Sequence, residues 1–244
     1  MKIMRWREWT RPIPPVRREV LVATPEVDEG RPPVLFVPGF GHGAWAFVEH
    51  WLEHTASRGF PAYAMSLRGH GASGRAKRAT LRAYTHDVVQ VSASLPRRAV
   101  LVGHGASALV VAKALARYPA RAGVLVSPVL GGLGALRGGG RRLFSRELPT
   151  AQARAYAARI GRAPALARWQ LLVHRAPEPP VGDPPVLVVG SPDDRIVSRT
   201  GLANAARRYG GAPLLFPGMG HDLMLDARWR EPIDAILDWL DKAD

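Results

Sequence analysis

Short apolar runs alternate along the chain with longer segments in which apolar residues recur every three or four positions. Apolar or β-branched runs of this kind are typical of buried strands, and the longer period is typical of helices that cover a sheet. Strands are predicted at residues 19–23, 33–37, 62–66, 99–103, 123–127, 185–190 and 213–216. Helices are predicted at residues 44–57, 80–95, 106–117, 199–208 and 230–239. This order predicts an α/β fold, a mostly parallel twisted sheet with helices on both faces.

The alternation breaks in one place, between the strands predicted at 123–127 and 185–190. A glycine cluster at 131–140 comes first, and two helix-like pieces follow it, at 150–160 and 164–174. An insertion between two strands of one sheet is typical of a cap over the strand ends, where open α/β sheets bind ligands. We therefore expect a small helical cap or lid, with an ordinary surface excursion as the alternative. The expected division is a core at 1–127 and 185–244 and a cap at 128–184.

The composition suits one globular domain and limits the available chemistry. With 244 residues, 47% of them hydrophobic, the chain can bury one sizeable core. The absence of cysteine excludes disulfides, thiolate metal sites and a cysteine nucleophile, without deciding the compartment. No apolar stretch approaches the length of a membrane span, and the basic start has no apolar signal-peptide region. We expect no export, no membrane spanning and a cytoplasmic protein.

Positive charge exceeds negative charge, with 34 Lys and Arg against 20 Asp and Glu and a formal net charge of +14. Nearly all the cations are arginine in a chain rich in Ala, Gly and Pro, a pattern that codon bias produces without selection for binding. We therefore expect solvated charge and no nucleic-acid partner. The densest region is 137–176, where nine arginines face Glu147, a local charge of +8. The basic start at 4–9 alternates in polarity, which favours an edge strand over a membrane-surface or nucleic-acid contact.

Five glycine-containing motifs carry the candidate chemistry. They are Phe-Val-Pro-Gly-Phe-Gly-His-Gly at 36–43, Arg-Gly-His-Gly-Ala-Ser at 68–73, Leu-Val-Gly-His-Gly-Ala-Ser at 101–107, Gly-Ser-Pro-Asp-Asp-Arg-Ile-Val at 190–197 and Gly-Met-Gly-His-Asp at 218–222. Over about residues 17–241 their content and order resemble the α/β-hydrolase superfamily, in the style of its lysophospholipase and monoacylglycerol-lipase relatives. The resemblance implies the α/β-hydrolase fold, with an oxyanion loop, a nucleophile elbow at 101–107, an acid turn and a histidine loop.

The sequence departs from this family at the nucleophile position of the elbow, where Gly105 stands. The family places Ser, Asp or Cys there, and glycine has no side chain to activate. Ser107 lies two residues further, in the following helix, so its hydroxyl is expected to point away from the apex of the elbow. An elbow residue has a positive φ, which glycine adopts without steric cost. Gly105 is therefore expected to preserve the turn and to remove covalent catalysis.

The resemblance implies that the other two catalytic positions are His221 and an acid after the preceding strand. Asp194 is preferred because residues 194–197 fit the family's acid-x-aliphatic-Val spacing, and Asp193 is the alternative. The carboxylate would fix the imidazole tautomer and stabilise its protonated form, so the pair could act as a general base or acid. The alternative is that both residues are kept only for hydrogen bonds within their loops.

Backbone donors are implied as well, because the amides of Phe40 and Ala106 correspond to the family's oxyanion hole. Such amides do not depend on the side chain of a nucleophile. The remaining histidines show no metal-ligand spacing with acids, and residues 69–74 lack the ending of a phosphate loop. We expect no metal, no cofactor, and a small-molecule substrate or ligand as the partner.

Three functions remain open from the sequence. The first is an enzyme without a covalent intermediate, in which His221, oriented by Asp194, moves a proton on a small, mostly apolar carbonyl substrate or on water. Its reaction would be an elimination, cyclisation, isomerisation or non-covalent hydrolysis, with a role in specialised biosynthesis. The second is a non-catalytic relative of hydrolases that binds a ligand or a protein partner. The third is a serine ester hydrolase altered at position 105, although a designed change would not also account for Ala106, Ser107 and Ala108.

Overall fold

The computed structural model describes residues 12–76, 79–130, 143–173 and 176–243. Its strands are β1 Val20–Ala23, β2 Val34–Val37, β3 Ala62–Met65, β4 Val100–His104, β5 Ala122–Val126, β6 Val186–Gly190 and β7 Leu214–Leu215. Its helices are α1 Trp45–Val48, α2 Trp51–Ser57, α3 Leu81–Ser94, α4 Ser107–Leu115, α5 Thr150–Arg159, α6 Ala165–Val173, α7 Arg199–Arg207 and α8 Arg230–Lys242. A 3-10 helix covers Leu223–Leu225.

The strands form one sheet in the order β1-β3-β2-β4-β5-β6-β7. β1 pairs antiparallel with β3, and each of the other neighbouring pairs is parallel. The chain runs outward from β2 to β3 and then returns to place β4 on the other side of β2. Such a reversal opens a crevice at the carboxyl ends of the two central strands, which is where α/β sheets bind ligands. The predicted mostly parallel α/β fold is confirmed.

The centre of the sheet is apolar because helices cover both of its faces. Every residue of β2, β4 and β5 is buried, as is every residue of α4 except Lys113. Gly103 in β4 allows α4 to lie directly on the strand, since a Cβ there would stand 2.7 Å from Cγ2 of Val111. The turn between β4 and α4 is thereby held against a rigid, close-packed support.

Two elements differ from the sequence prediction. The helix predicted at 44–57 is divided into α1 and α2, because His50 leaves the helical conformation with φ −146° and ψ −52°. The break allows Phe47 and Trp51 to contact the same core ring, Phe36, at centroid distances of 4.8 and 6.0 Å. The strand predicted at 213–216 is reduced to β7, two exposed residues at the sheet edge.

The segment between β5 and β6 contains the two predicted helical pieces, as α5 and α6. α6 packs against α3, and Gln170 of α6 accepts a hydrogen bond from the Leu81 amide at 2.8 Å. Near Gly41 the same segment touches the loop that follows β2, because the Gly161 amide donates to the Gly41 carbonyl at 2.8 Å. The division into a core and a cap at 128–184 stays a prediction.

The motif at 68–73 anchors the loop after β3 within the molecule. The Arg68 guanidinium donates to both carboxylate oxygens of Asp87 in α3, each at 2.6 Å, and both side chains are almost fully buried. Arg18 donates to the same carboxylate at 2.9 Å, and Arg68 also donates to the Pro14 carbonyl. This network joins the loop, α3 and the segment that precedes β1.

Several predicted features lie outside the described residues. They are the basic start at 4–9, the glycine cluster at 131–140, and the cap residues Arg137, Arg141, Arg142, His174 and Arg175. In the part of the chain that the structure describes, no helix is long and apolar enough to cross a membrane.

Candidate functional site

The turn between β4 and α4 holds Gly105 at the carboxyl edge of the sheet. Its φ is +55°, in the left-handed region that favours glycine. The Gly105 amide donates to the Val126 carbonyl of β5, and the Gly105 carbonyl accepts from the Val129 amide, both at 2.9 Å. Backbone hydrogen bonds therefore attach the turn to β5 and to the residues that follow it.

Ser107, the hydroxyl residue nearest to Gly105 in sequence, begins α4 and is fully buried. Its hydroxyl donates to the Pro38 carbonyl at 2.6 Å. The oxygen is thus directed at the backbone of the loop that follows β2 and serves a structural hydrogen bond.

His221 and Asp194 lie in hydrogen-bond contact, with Nδ1 of the imidazole 2.7 Å from Oδ2 of the carboxylate. Both side chains are buried. The second oxygen of Asp194 accepts from the amides of Ile196 and Val197, which fixes the carboxylate in its loop. Asp193, the alternative acid, instead accepts from the Gly218 amide at 2.8 Å. The structure therefore brings Asp194, and not Asp193, to the imidazole.

The other imidazole nitrogen faces Gly105. A Cβ added at Gly105 would stand 3.2 Å from Nε2 of His221 and 3.9 Å from the Cα of Gly39. A side chain at position 105 would therefore project toward the imidazole that Asp194 orients. Because residue 105 is glycine, it places no side chain in that space.

The environment of His221 favours its protonated form. Desolvation of the buried imidazole lowers its pKa, but the charge and the hydrogen bond of Asp194, with the charge of Asp222, outweigh desolvation. The pKa of His221 is therefore raised above its ordinary value of 6.5. Histidine is the side chain whose ordinary pKa lies closest to neutrality, so an imidazole at this position is suited to acid–base chemistry.

Phe40 and Ala106 both line the cavity above Gly105. Within the ranges that the structure describes, neither backbone amide donates to a main-chain or side-chain acceptor. Two amides of this kind, held by adjacent strand ends, can stabilise negative charge that develops on a substrate oxygen.

The cavity has a volume of about 250 Å³ and opens between the sheet and the segment after β5. Its polar lining includes three imidazoles, those of His42, His104 and His221. The apolar lining consists of Val129, Leu143, Ile160, Leu171 and Ile196, with the ring of Phe40. Small concave sites that are mostly apolar, with a few convergent polar groups, are typical of small-molecule binding.

A second histidine–aspartate network lies beside the first, and sequence reasoning did not find it. Nε2 of His42 donates to Asp222 at 3.0 Å, while Nε2 of His104 lies 3.3 Å from the other Asp222 oxygen and donates to the His221 carbonyl. Burial lowers the pKa of His104 to about 3, so this imidazole is neutral at pH 7. Burial raises the pKa of Asp222, but His42, His104 and His221 outweigh it and hold the carboxyl below its usual pKa.

This network could have been suspected from the strand ends. His42 follows β2 and His104 ends β4, and the carboxyl ends of adjacent parallel strands meet at one edge of a sheet. From the sequence, the two histidines show no metal-ligand spacing with acids, and Asp222 belongs to the motif at 218–222. Their pairing spans 180 residues of sequence, a separation that no local pattern encodes.

Among the described residues, His104, His221 and Asp222 offer metal-type ligand atoms within 4.8 Å of one another. The Nε2 of His104 donates to the His221 carbonyl, and Nδ1 of His221 is bound to Asp194. Hydrogen bonds inside the chain therefore occupy Nε2 of His104 and Nδ1 of His221.

The sequence matches the model of the alpha/beta hydrolase family over residues 34–236. That range includes most of the sheet, the turn at Gly105, Asp194 and His221. The chain therefore belongs to the alpha/beta hydrolase family. None of the curated proteins compared with it matches the sequence.

Several solved structures share the fold. A monoacylglycerol lipase from Paleococcus ferrophilus has a TM-score of 0.73 and 21% identity, over 94% of this chain and 100% of that one. A thermophilic esterase from Thermogutta terrifontis has a TM-score of 0.74 and 20% identity, over 93% of each chain. An alpha/beta hydrolase fold protein from Burkholderia ambifaria has a TM-score of 0.70 and 19% identity, over 91% of this chain and 93% of that one. At these identities the likeness establishes the fold.

Proposed function

We propose that this protein is an acid–base enzyme of the alpha/beta hydrolase family that works without a covalent intermediate. In this proposal Gly105 occupies the nucleophile position of the family, and His221, oriented by Asp194, acts on a small, mostly apolar carbonyl substrate or on water. The observation that carries the proposal is the 3.2 Å between Nε2 of His221 and the place where a Cβ of residue 105 would stand. The imidazole faces the position of a nucleophile that this chain does not have.

The proton transfer follows from the two sides of the imidazole. Nδ1–H donates to the Asp194 carboxylate, which leaves the lone pair of Nε2 directed at the space above Gly105. Nε2 takes a proton from the substrate or from a water, and the buried carboxylate stabilises the imidazolium that results. The same nitrogen returns the proton to the leaving group or to the product.

The substrate oxygen is stabilised by backbone donors in this proposal. Phe40 and Ala106 both line the cavity that the imidazole of His221 also lines. Their amides would donate to an enolate or oxyanion as the proton leaves or as water adds to the carbonyl. Elimination, cyclisation, isomerisation and non-covalent hydrolysis all develop such a charge, so they form the reaction class that we propose.

The proposal is tested by replacing His221 and Asp194, with Asp193→Asn as the matched control, in turnover assays on small apolar esters, β-hydroxy ketones and related carbonyl compounds. His221→Ala should lower turnover by about 10²–10⁴-fold, because the proton acceptor is lost. Asp194→Asn should also lower turnover, because the amide cannot stabilise the imidazolium. Asp193→Asn should change turnover little, because that carboxylate bonds the Gly218 amide and not the imidazole.

The pH profile gives a second measurement of the same proposal. The base must be neutral, so kcat/KM should rise with pH, with a midpoint above 6.5 because the pKa of His221 is raised. In Asp194→Asn the midpoint should shift to lower pH, because desolvation of the imidazole persists after the carboxylate charge is removed. If no carbonyl compound is turned over, or if His221→Ala changes nothing, the non-catalytic ligand-binding function replaces this one.

A further inference from the structure

Two arginines, Arg162 and Arg168, line the cavity from the side of the segment after β5. We propose that they bind an anionic group of the substrate, so that the ligand class is a small apolar carbonyl compound with a carboxylate or phosphate at one end. This inference rests on the proposed function, because it assigns the substrate class of the same site.

The position of Arg162 is fixed by a backbone contact next to it. The Gly161 amide donates to the Gly41 carbonyl at 2.8 Å, and the Ile160 side chain lies against Gly41. A Cβ at Gly41 would stand 2.7 Å from the Gly161 carbonyl, so the two backbones approach closely. Because Phe40 precedes Gly41, this contact holds Arg162 close to the loop that carries one of the two amide donors.

Arg168 reaches the cavity from the first turn of α6. Its amide donates to the Pro164 carbonyl at 3.1 Å, which closes that turn. Leu171, one turn further along the same helix, is buried and lines the same cavity. The helix therefore contributes a buried apolar residue and an exposed arginine to the lining of the cavity.

Among the described residues, no acidic side chain neutralises the charges on this part of the lining. Across the ranges that the structure describes, neither Arg162 nor Arg168 forms an ion pair, and no Asp or Glu is among the residues that line the cavity. Arg159, which immediately precedes this contact region, differs, since it pairs with Glu49 and stacks on the Trp45 ring at 4.0 Å. Guanidinium groups bind carboxylates and phosphates through two parallel hydrogen bonds, which suits an anionic ligand group.

The remaining lining indicates how such a ligand would lie. The apolar residues line the same cavity as the arginines and the imidazole of His221, so the apolar body of the ligand would fill the space that they enclose. The carbonyl would then face the amides of Phe40 and Ala106, with the anionic end at the arginines. This arrangement requires a charged group at a distance from the reacting carbon, which a plain alkyl ester lacks.

Binding of two isosteric probes tests the inference without any need for turnover. Octanoate and octanamide share one alkyl chain and differ in charge, and calorimetry gives their affinities for the protein and its variants. Octanoate should bind more tightly, and Arg162→Gln and Arg168→Gln should each weaken it by about fivefold while leaving octanamide unchanged. Arg154→Gln is the matched control, because Arg154 is an exposed arginine of α5 that does not line the cavity. Octyl phosphate in the same series shows which oxyanion the arginines prefer.

Salt should weaken octanoate binding and leave octanamide binding unchanged, because exposed charges are screened. Equal affinity for the two probes, binding of neither, or an equal loss in Arg154→Gln would overturn the inference. If turnover depends on His221 but octanoate has no advantage, the substrate class is wrong and the proposed function stands. Arginine-dependent octanoate binding in a protein with no turnover would retain the anion site and remove the proposed function.

Discussion

Gly105 shapes the turn through its backbone conformation and contributes no side chain to the cavity. The φ of +55° is one that L side chains adopt at a cost of about 1–2 kcal/mol, and glycine avoids that cost. The hydrogen bonds that join Gly105 to Val126 and to Val129 use only the backbone, so the turn keeps its form without a side chain at this position. The amides and the imidazole around the turn are therefore positioned independently of any side chain at residue 105.

At the residue scale, labelling with a fluorophosphonate probe tests whether the turn contains a reactive hydroxyl. We expect no stoichiometric labelling of the natural sequence, because Gly105 has no hydroxyl and that of Ser107 is buried against Pro38. Gly105→Ser should be labelled and should acquire weak ester cleavage, since its Cβ would stand 3.2 Å from Nε2 of His221. Mass spectrometry of the labelled peptide checks both results.

The control for this prediction is Gly105→Ala, which has the same positive φ but no hydroxyl. It should remain unlabelled, so that any labelling of Gly105→Ser reports the hydroxyl and not a loosened fold. Labelling of the natural sequence at Ser107 would contradict our interpretation of the turn.

At the scale of elements, the loop after β2 and the segment before α6 contact each other, and residues of both line the cavity. The contact consists of a backbone hydrogen bond between Gly41 and Gly161, with no Cβ on either residue. Gly41 allows the main chains to approach more closely than a side chain would permit, whereas a Cβ at Gly161 would stand 3.6 Å from the Gly41 carbonyl, an ordinary contact. The position of the arginines relative to the amide donors therefore depends on the absence of a side chain at Gly41.

Gly41→Ala should separate these two elements, because its Cβ would stand 2.7 Å from the Gly161 carbonyl. Gly30→Ala is the matched control, since Gly30 has a similar φ of +81° against +92° and no atom within 4 Å of its Cβ position. Both variants should lose roughly 1–2 kcal/mol of unfolding free energy from the positive φ, and Gly41→Ala should lose more. Urea denaturation and octanamide binding measure the difference, and equal losses in both would show that the contact tolerates a side chain.

At the scale of the whole molecule, one buried ion pair joins parts of the chain that are distant in sequence. Arg68 and Asp87 connect the loop after β3 to α3, and Arg18 and the Pro14 carbonyl bring in the segment before β1. Removal of one partner from a buried pair leaves the other charge uncompensated, which is far more costly than loss of an exposed pair. The motif at 68–73 therefore serves stability in this chain.

Asp87→Ala should lower the free energy of unfolding by about 3–5 kcal/mol, because the Arg68 guanidinium would remain buried without a carboxylate. Arg97→Gln removes the exposed pair with Asp28 and should cost less than about 1 kcal/mol. Chemical denaturation of both variants gives the comparison. A loss for Asp87→Ala as small as that for Arg97→Gln would show that the buried network contributes little.

The sequence motifs were enough to predict the candidate site residues that lie within each motif. The resemblance to the α/β-hydrolase family implied the positions of Gly105 and His221, and the family's spacing favoured Asp194. That spacing could not establish which of two adjacent carboxylates faces the imidazole, because Asp193 and Asp194 differ only in how the turn directs them. The hydrogen bonds of Asp194 to two amides of its own loop decide this.

The sequence by itself determined the order of strands and helices, since short apolar runs, the 3.6-residue period and the turn-forming glycines act over a few residues. It also determined that residue 105 has no side chain. Only the tertiary structure decided that the helix predicted at 44–57 breaks at His50, that Asp222 joins His42 and His104, and that Arg162 borders the cavity. Each of these depends on packing between residues far apart in the chain, up to 180 positions for His42 and Asp222. Such contacts form only when the sheet brings its strand ends together, so no local pattern of residues specifies them.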